Sequence, residues 1–441
     1  MHGDQLPLLK TRIPGPRSRA LARQLHDYES RNITYVSPNW PIFWQRATGA
    51  NVWDVDGNRY LDITAGFGVA SVGHNNPRVV RAVQTQAQRL LHAMGDVHPN
   101  ELKLRLAREL VGLTFGRWCR RASGKRGPKS PARVIFANSG AEAVEAALKT
   151  AVIHTKRPGV IAFEGAYHGL TYGALDATWR ADFRTPFSKQ LGHFTAHVAF
   201  GRVPDVARIR DYGAVIVEPI QGRGGIVVPP DDFLRKLRRF CDEHGLVLIF
   251  DEIYTGFCRT GRWFACEHWN VVPDLICVGK GMAGGFPIAA CIGSAKVMDS
   301  WPESHGEAIH TSTFLGNPLG CAAALAAITE MKRFKLDCRA RELGNHLMKS
   351  IVGAAPCGRP AISERKGQAR GPAPTVRGKG LMLGLEFHDA PRLCEQLLQR
   401  GIIAIPEGNH AEILGLTPPL VITNRQLDYC ADVLTKLLST R

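Results

Sequence analysis

Short apolar segments alternate with amphipathic segments through the middle of the 441-residue chain. Between residues 133 and 278, segments rich in β-branched and aromatic residues are separated by segments whose apolar residues recur at helical spacing. The predicted strands cover residues 133–136, 159–163, 214–217, 246–250 and 275–278, and the predicted helices cover residues 143–155 and 231–244. Alternation of strand and helix is typical of a mostly parallel sheet, so the pattern predicts an α/β fold class.

The pattern changes on either side of this region. Upstream, it predicts helices at residues 18–28, 77–91 and 101–113, and the Asp56-Gly57 turn between apolar residues predicts a hairpin. Downstream, it predicts strands at residues 286–292, 381–387 and 402–405 and helices at residues 319–333, 390–400 and 426–438. We therefore expect three parts. Residues 1–70 form an arm and meander that packs with the small domain, residues 71–325 form a large domain, and residues 326–441 form a small α+β domain.

Composition places the chain among ordinary globular proteins, with 44% hydrophobic and 22% charged residues. No segment approaches the roughly 18 uninterrupted apolar residues of a membrane-spanning helix, and the N-terminus lacks the apolar core of a secretory signal. The eleven cysteines form no CxxC pairs, which favours reduced thiols and a cytoplasmic location. Cys266 and His268 are too few for a zinc site, so we expect no metal.

The formal net charge of +17 raises a nucleic-acid partner as a rival interpretation. Much of the excess lies in two stretches rich in Gly, Pro and Ser, at residues 117–133 and 359–379. Apart from Trp118, these stretches carry no aromatic residue that could stack on bases. We interpret both as solvated loops, and we expect neither a nucleic-acid nor a membrane partner.

Two residues at strand ends carry the strongest candidate chemistry. Asp251 follows the strand predicted at residues 246–250, and Lys280 follows the one at residues 275–278, between two glycines. Residues beyond the carboxyl ends of parallel strands line the ligand crevice, so both side chains are expected in one cavity. Alone, the Asp could be only a helix cap and the Lys only part of a solvated turn. Together, they suit a Schiff-base lysine and the acid that keeps a pyridoxal phosphate ring nitrogen protonated.

Other strand ends also carry polar or small residues. Ser139, Gly140 and Ala141 lie between a strand and a strong helix, where free backbone N–H groups can bind a phosphate, although the same residues suit a helix start without a ligand. Tyr167 and His168 lie between glycines and could cover a planar cofactor or form a buried aromatic corner.

With these segments placed, the motif FDEIYTGFCRTGRWFACEH followed by PDLICVGKGMAGGFPIAA resembles that of the class III aminotransferases, pyridoxal 5'-phosphate enzymes of fold type I. The resemblance extends from NVWDVDGNRYLD to PPLVIT, nearly the whole chain. It implies a large domain with a mostly parallel sheet and a smaller α+β domain formed by the C-terminus and the N-terminal arm.

The resemblance also implies a role for each matching residue. Lys280 forms the Schiff base and moves the substrate proton, while Asp251 pairs with the pyridine nitrogen. The phosphate is bound by Ser139, Gly140 and Ala141, and the ring is contacted by Tyr167, His168, Glu218 and Ile253. Ser312 and Thr313 match residues that reach the phosphate across a subunit interface, which implies a homodimer with shared active sites.

Three positions depart from the family pattern in the substrate pocket. Gly415 stands where many members have an Arg for the substrate's carboxylate, and Arg223 stands where that Arg has its Glu partner. Arg223 could therefore bind the carboxylate from the opposite wall, or it could point to solvent if the amine needs no such contact. Leu170 replaces a second carboxylate-binding Arg, which favours a more apolar pocket that includes Phe67.

The expected function is transfer of an amino group from an amine or ω-amino acid to a 2-oxo acid, pyruvate or 2-oxoglutarate. The alternative within the family is an aminomutase or amino-acid epimerase, which uses the same cofactor without a second substrate. A basic scaffold that has lost catalysis is disfavoured because Lys280 and Asp251 are both present.

Overall fold

A computed structural model describes residues 3–123, 130–205, 209–354 and 375–439. The strands are β1 (Trp44–Thr48), β2 (Asn51–Asp54), β3 (Arg59–Asp62), β4 (Ala132–Ala137), β5 (Gly159–Phe163), β6 (Thr195–Val198), β7 (Tyr212–Val217), β8 (Val247–Asp251), β9 (Leu275–Val278), β10 (Ala289–Ser294), β11 (Val376–Lys379), β12 (Met382–Glu386), β13 (Ile402–Ile403), β14 (Ile405–Glu407) and β15 (Ile413–Leu416). The α-helices are α1 (Pro16–Tyr28), α2 (Ala65–Gly68), α3 (Pro77–Ala87), α4 (Glu101–Leu113), α5 (Phe115–Ser123), α6 (Gly140–Thr155), α7 (Tyr172–Ala177), α8 (Ala181–Arg184), α9 (Phe233–His244), α10 (Ala295–Met298), α11 (Pro318–Arg333), α12 (Leu336–Ala354), α13 (Ala390–Leu398) and α14 (Asn424–Ser439).

The central sheet has seven strands in the order β4-β10-β9-β8-β7-β5-β6. Its pairings are parallel except for those of β10, which runs antiparallel to both β9 and β4. Both faces are covered, because Ile249 of β8 packs in the cluster that includes α6, while Leu248 and Phe250 pack in the cluster that includes α9. The predicted α/β fold with a mostly parallel sheet is therefore confirmed.

Two smaller sheets join the ends of the chain. Strands β1, β2 and β3 form the antiparallel meander expected around Asp56-Gly57, and β13 from the C-terminal part adds to β3 in parallel. Strands β11, β12, β15 and β14 form a separate antiparallel sheet. The three-part division at residues 70 and 325 stays a prediction, although the β3 and β13 pairing is consistent with the arm packing against C-terminal residues.

The first basic stretch is not the solvated loop that was predicted for it. Residues 117–123 belong to α5 and are not part of a solvated loop. Trp118 is buried, and its Nε1–H donates to Glu267 Oε1 at 3.0 Å, while Arg117 forms an ion pair with the same carboxylate. The stretch therefore begins within a helix, whose Trp118 packs edge to face against Phe264. Residues 124–129 lie outside the described residues.

The prediction of a solvated loop is also partly wrong for the second basic stretch. Its last residues form β11, which pairs with β12, while residues 359–374 lie outside the described residues. Other elements differ in their bounds. The helix expected at residues 77–91 ends at Ala87, the strand expected from residue 286 begins at Ala289, and the strand expected at residues 402–405 is divided between two sheets.

Among the described residues, no helix is both long and apolar enough to cross a bilayer. The same part of the chain contains no group of three or more His, Cys, Asp or Glu side chains placed to bind a metal ion.

Candidate active site

The candidate site begins at the carboxyl ends of two neighbouring parallel strands. Asp251 is the last residue of β8 and lies opposite Cys277 of β9. Lys280 follows β9 and opens a 3₁₀ turn, Lys280–Ala283. The parallel pairing brings both residues to the same edge of the sheet, which is where the sequence predicted them.

Asp251 is held by two contacts. Its Oδ2 lies 2.8 Å from His168 Nδ1, and its Oδ1 accepts a hydrogen bond from the Ile253 N–H at 3.1 Å. His168 is only 2% exposed and its backbone N–H donates to Thr178 Oγ1 at 2.9 Å. The carboxylate is thus fixed in orientation, although each of its oxygens can accept a further bond.

Lys280 has an unusual backbone and a perturbed side chain. Its φ of +24° lies in the left-handed region, and strain of this kind costs about 1–3 kcal/mol and concentrates at active sites. Its Nζ lies 4.1 Å from the centroid of the Tyr254 ring. Burial lowers the pKa of Lys280, while the carboxylates of Asp251, Glu407 and Glu218 act in the opposite direction. A lowered pKa leaves more of the amine unprotonated and nucleophilic.

The expected phosphate cradle is the N-terminus of α6. Ser139 is the N-cap, and its hydroxyl accepts from the Glu142 N–H at 3.3 Å and donates to Glu142 Oε1 at 3.2 Å, while the Asn138 N–H donates to Glu142 Oε2 at 3.0 Å. Gly140 is needed for close packing, since a Cβ there would lie 2.9 Å from Ile253 Cδ1. Ile253 and the helix start therefore meet beside Asp251, as the predicted ring and phosphate contacts require.

Ser312 and Thr313 lie near this helix start in different ways. Ser312 Oγ accepts from Asn138 Nδ2 of the same chain at 3.1 Å, and Asn138 in turn bonds to Glu142. Thr313 is exposed. Their contact with a partner subunit stays a prediction.

Glu218 joins the loops after β5 and β7. Its Oε1 accepts from the Tyr167 N–H at 3.0 Å and its Oε2 from the Gly222 N–H at 2.8 Å. Burial raises the pKa of Glu218 to about 7, because the carboxylate is shielded from water. The Tyr167 ring meets Phe183 edge to face at 5.8 Å, so its position is fixed from two sides.

The residues predicted to line the substrate pocket differ in exposure and in their contacts. Phe67 and Leu170 are about half exposed, at 53% and 50%, and Phe67 has a φ of 62°. Arg223 does not simply point to solvent. Its Nε lies 3.3 Å from Glu407 Oε2, and its Cζ lies 5.5 Å from the Tyr167 ring centroid. Gly415 lies in β15, where a Cβ would be 3.0 Å from Glu407 Cγ.

Glu407 and Tyr254 also belong to the site, although neither was predicted from the sequence. Glu407 is 2% exposed, and burial raises its pKa to about 7 against the influence of Arg223 and Lys280. Nothing in the segment IAIPEGNH marks it as a site residue, because its contacts come from a different part of the chain. Tyr254 could have been found, since it follows Asp251 by three residues inside the central motif.

These residues fit pyridoxal 5'-phosphate. The Nε2 atom of His168 is buried without a hydrogen-bond partner among the described residues, so a bound group can supply that partner. A capped helix N-terminus suits a phosphate, an oriented carboxylate suits a ring nitrogen, and a lysine with a lowered pKa suits an aldehyde.

Comparison with known proteins gives one consistent family. The family model for aminotransferase class-III matches residues 34–438. The acetylornithine aminotransferase of Methanopyrus kandleri is 39% identical over 411 residues, covering 92% of this chain and 96% of its own. The putrescine aminotransferase of Pectobacterium atrosepticum is 38% identical, covering 93% of this chain and 86% of its own. The crystal structure of the Toxoplasma gondii ornithine aminotransferase superposes with a TM-score of 0.80 at 30% identity, covering 96% of this chain and 95% of its own.

Proposed function

The chain belongs to the class III aminotransferases, which depend on pyridoxal 5'-phosphate, and we propose that it moves an amino group from an amine or ω-amino acid to pyruvate or 2-oxoglutarate. The observation that carries the proposal is the placement of Lys280 beside the Asp251 and His168 pair, at neighbouring strand ends. This is the arrangement that amino-group transfer at a pyridoxal ring requires.

Each group of residues would hold one part of the cofactor. Lys280 would bind its aldehyde, Asp251 would face its ring nitrogen, and the N-terminus of α6 at Ser139, Gly140 and Ala141 would bind its phosphate. Tyr167 and Ile253 would pack on the ring, and Glu218 would lie at its edge. When bound, pyridoxal phosphate supplies an aldehyde that reacts with amines and a ring that stabilises negative charge on the adjacent carbon.

The remaining chemistry belongs to this chain. Lys280 Nζ removes a proton from the carbon that carries the donor's amino group, since its lowered pKa leaves the amine free to accept one. The ring of Tyr254 under Nζ keeps the lysine stem in place while the proton is held. His168 Nδ1 orients the Asp251 carboxylate, so that its negative charge needs no rearrangement during the reaction.

The donor class is supported by the pocket and by the relatives. The relatives are named for acetylornithine, putrescine and 4-aminobutyrate, and these compounds carry an amino group at the end of a chain. Half-exposed Phe67 and Leu170 provide apolar surface for such a chain. Arg223 would supply the contact to the acceptor's carboxylate, since Gly415 has no side chain to do so.

We also propose a homodimer in the cytoplasm. Large apolar side chains are exposed on the segments around Ser312 and Thr313, and these are Leu91, Met94, Val97, Ile309 and Phe314. An exposed apolar surface beside the phosphate site supports a partner subunit there. Buried cysteines such as Cys241, Cys277 and Cys430 carry free thiols, which supports a reducing compartment.

A panel of amine donors tested with and without a 2-oxo acid checks this function. We expect turnover of terminal amines or ω-amino acids only when pyruvate or 2-oxoglutarate is present, with one amino acid formed per donor consumed. Turnover of a single amino acid without any 2-oxo acid would instead identify an aminomutase or epimerase. Product analysis by chromatography separates the two results.

A further inference from the structure

Glu407 is a buried carboxylate that the reaction described above does not use. It ends β14, and its side chain is 1% exposed. Neither of its oxygens has a hydrogen-bond partner among the described residues, and its ion pair is made with Arg223 Nε at 3.3 Å. A buried carboxylate needs such a partner, because loss of hydration is not otherwise offset.

Gly415 makes room for this carboxylate. Strand β15 lies beside β14, with Gly415 opposite Ile405 and Ile413 opposite Glu407. A side chain at residue 415 would enter the space of Glu407, since even a Cβ would approach Cγ to 3.0 Å. The glycine therefore allows the negative charge to lie on the C-terminal sheet and the positive charge to come from the loop after β7.

The backbone at Arg223 is fixed from several directions. The Gly408 N–H donates to the Arg223 carbonyl at 3.0 Å, next to Glu407. Arg377 Nη2 donates to the Gly225 carbonyl at 2.8 Å, and Glu218 accepts from the Gly222 N–H. With the backbone fixed in this way, the contact between Glu407 and Nε determines where the side chain of Arg223 lies.

The terminal nitrogens of Arg223 are left for another partner. They form no hydrogen bond with the described part of the chain, and the guanidinium lies near the Tyr167 ring. Arg223 and Glu407 both influence Lys280 electrostatically, so the pair lies within reach of the reacting groups. A guanidinium held at Nε presents its other two nitrogens as a fork that fits a carboxylate.

We propose that Glu407 is a positioning residue that holds Arg223 at Nε, so that the terminal nitrogens of Arg223 bind the carboxylate of the 2-oxo acid acceptor. The inference rests on the proposed function for its choice of substrate. It concerns acceptor specificity, and it assigns neither residue a role in proton transfer at Lys280.

The test compares acceptors with and without a carboxylate at pH 8, where Glu407 is ionised. We expect Glu407→Gln to raise the KM for pyruvate about tenfold and to leave the KM for propanal within about twofold. Arg223→Ala should raise the pyruvate KM at least as much, and the double variant should be no worse than Arg223→Ala, because both act through one contact. Gly415→Ala, which crowds Glu407, should shift the same parameter in the same direction.

Three results would overturn the inference. The first is an equal rise in KM for pyruvate and propanal in Glu407→Gln. The second is an unchanged pyruvate KM in Glu407→Gln when Arg223→Ala raises it. The third is a lower pyruvate KM in Glu407→Gln, which would mean that Glu407 competes with the acceptor for Arg223.

A binding measurement separates this inference from the proposed function. Calorimetric titration of the cofactor-loaded protein with propionate, and with propionamide as the uncharged match, needs no turnover. We expect propionate to bind the wild type more tightly than Glu407→Gln, with no such difference for propionamide. If amino transfer fails but this difference is found, the carboxylate site stands without the proposed reaction. Equal propionate binding by both proteins overturns the inference.

Discussion

The cofactor end of the site and its substrate wall are assembled in different ways. The cofactor end consists of Lys280, Asp251 and His168, which lie at or just beyond strand ends of one central sheet. The substrate wall consists of Arg223 and Glu407, which come from a loop of the central sheet and from a strand of the C-terminal sheet. The cofactor end depends on the strand order of one sheet, and the substrate wall depends on how two sheets pack together.

This difference means that the residues for the reaction and the residues for substrate specificity lie in separately built regions. Neighbouring parallel strands place Asp251 and Lys280 at one edge of a single sheet, so the cofactor end can stay constant while the wall changes. At the wall, a glycine at residue 415 and a carboxylate at residue 407 together decide which side carries positive charge. A change at one of these positions without the other would bury an unpaired charge or crowd it.

The largest expected effect comes from removing the reacting group of the cofactor end. We expect Lys280→Ala to lower kcat by at least about 10⁴-fold, because proton transfer and covalent attachment of the cofactor are lost together. The absorbance of the attached cofactor should disappear after dialysis. Steady-state kinetics and an absorbance spectrum measure the two losses.

Lys296→Ala provides the matched control, because Lys296 is exposed in α10. It should keep both the spectrum and kcat. If Lys280→Ala retained dialysis-resistant cofactor, the cofactor end would have to be assigned to a different lysine, and the contrast with the substrate wall would lose its basis.

The sequence predicted the cofactor end well and the substrate wall only in part. Asp251 and Lys280 each follow a short apolar run, and continuous apolar runs with polar ends are visible without knowledge of tertiary structure. Arg223 and Gly415 were noticed only as departures from a family pattern. Glu407 was missed because its role depends on the contact between two sheets, which no local pattern reports.

The two basic stretches also show that tertiary contacts can override what a local sequence pattern predicts. Arg117 and its neighbours predicted a solvated loop by charge, yet the stretch begins within α5 and buries Trp118 against Phe264. The charged residues indicated the exposed face of α5 and gave no sign of its buried face. In contrast, α4 was predicted with its observed bounds, since its apolar residues repeat regularly at helical spacing.

An intermediate effect is expected from filling space at the phosphate cradle. Gly140→Ala places a Cβ about 2.9 Å from Ile253 Cδ1 and 3.0 Å from its Cγ2, so Ile253 must move and shift the loop after Asp251. Overpacking of this kind costs about 1–3 kcal/mol, and we expect the affinity for pyridoxal phosphate to fall about tenfold or more. Fluorescence titration with the cofactor and thermal unfolding measure these changes.

Gly112→Ala is the matched control for this substitution. Gly112 lies within α4, and a Cβ there would meet no atom within 4 Å. Alanine should stabilise the helix by about 0.5–1 kcal/mol and leave cofactor affinity unchanged. If both variants bound the cofactor like the wild type, close packing at Gly140 would not matter to the cofactor end.

The smallest expected effect concerns the pH dependence of the substrate wall. Burial raises the pKa of Glu407 from an ordinary 4.5 to about 7, so between these values the folded protein holds a proton that the unfolded chain has released. Proton uptake by the folded state means that Glu407 favours folding at pH 5 and loses this contribution as the pH rises through 7. Relative to the wild type, Glu407→Gln should therefore gain about 1–2 kcal/mol of stability between pH 5 and pH 8.

Urea unfolding of both proteins at pH 5 and pH 8, with the same cofactor concentration, measures this change in the stability difference. Glu218 has a pKa raised in the same way and is present in both proteins, so only its electrostatic interaction with residue 407 differs between them. Glu303→Gln, which removes an exposed carboxylate, is the matched control. A stability difference that moved in the opposite direction would mean that the ion pair with Arg223 outweighs burial at Glu407. The substrate wall would then be stabilised by its charges at high pH.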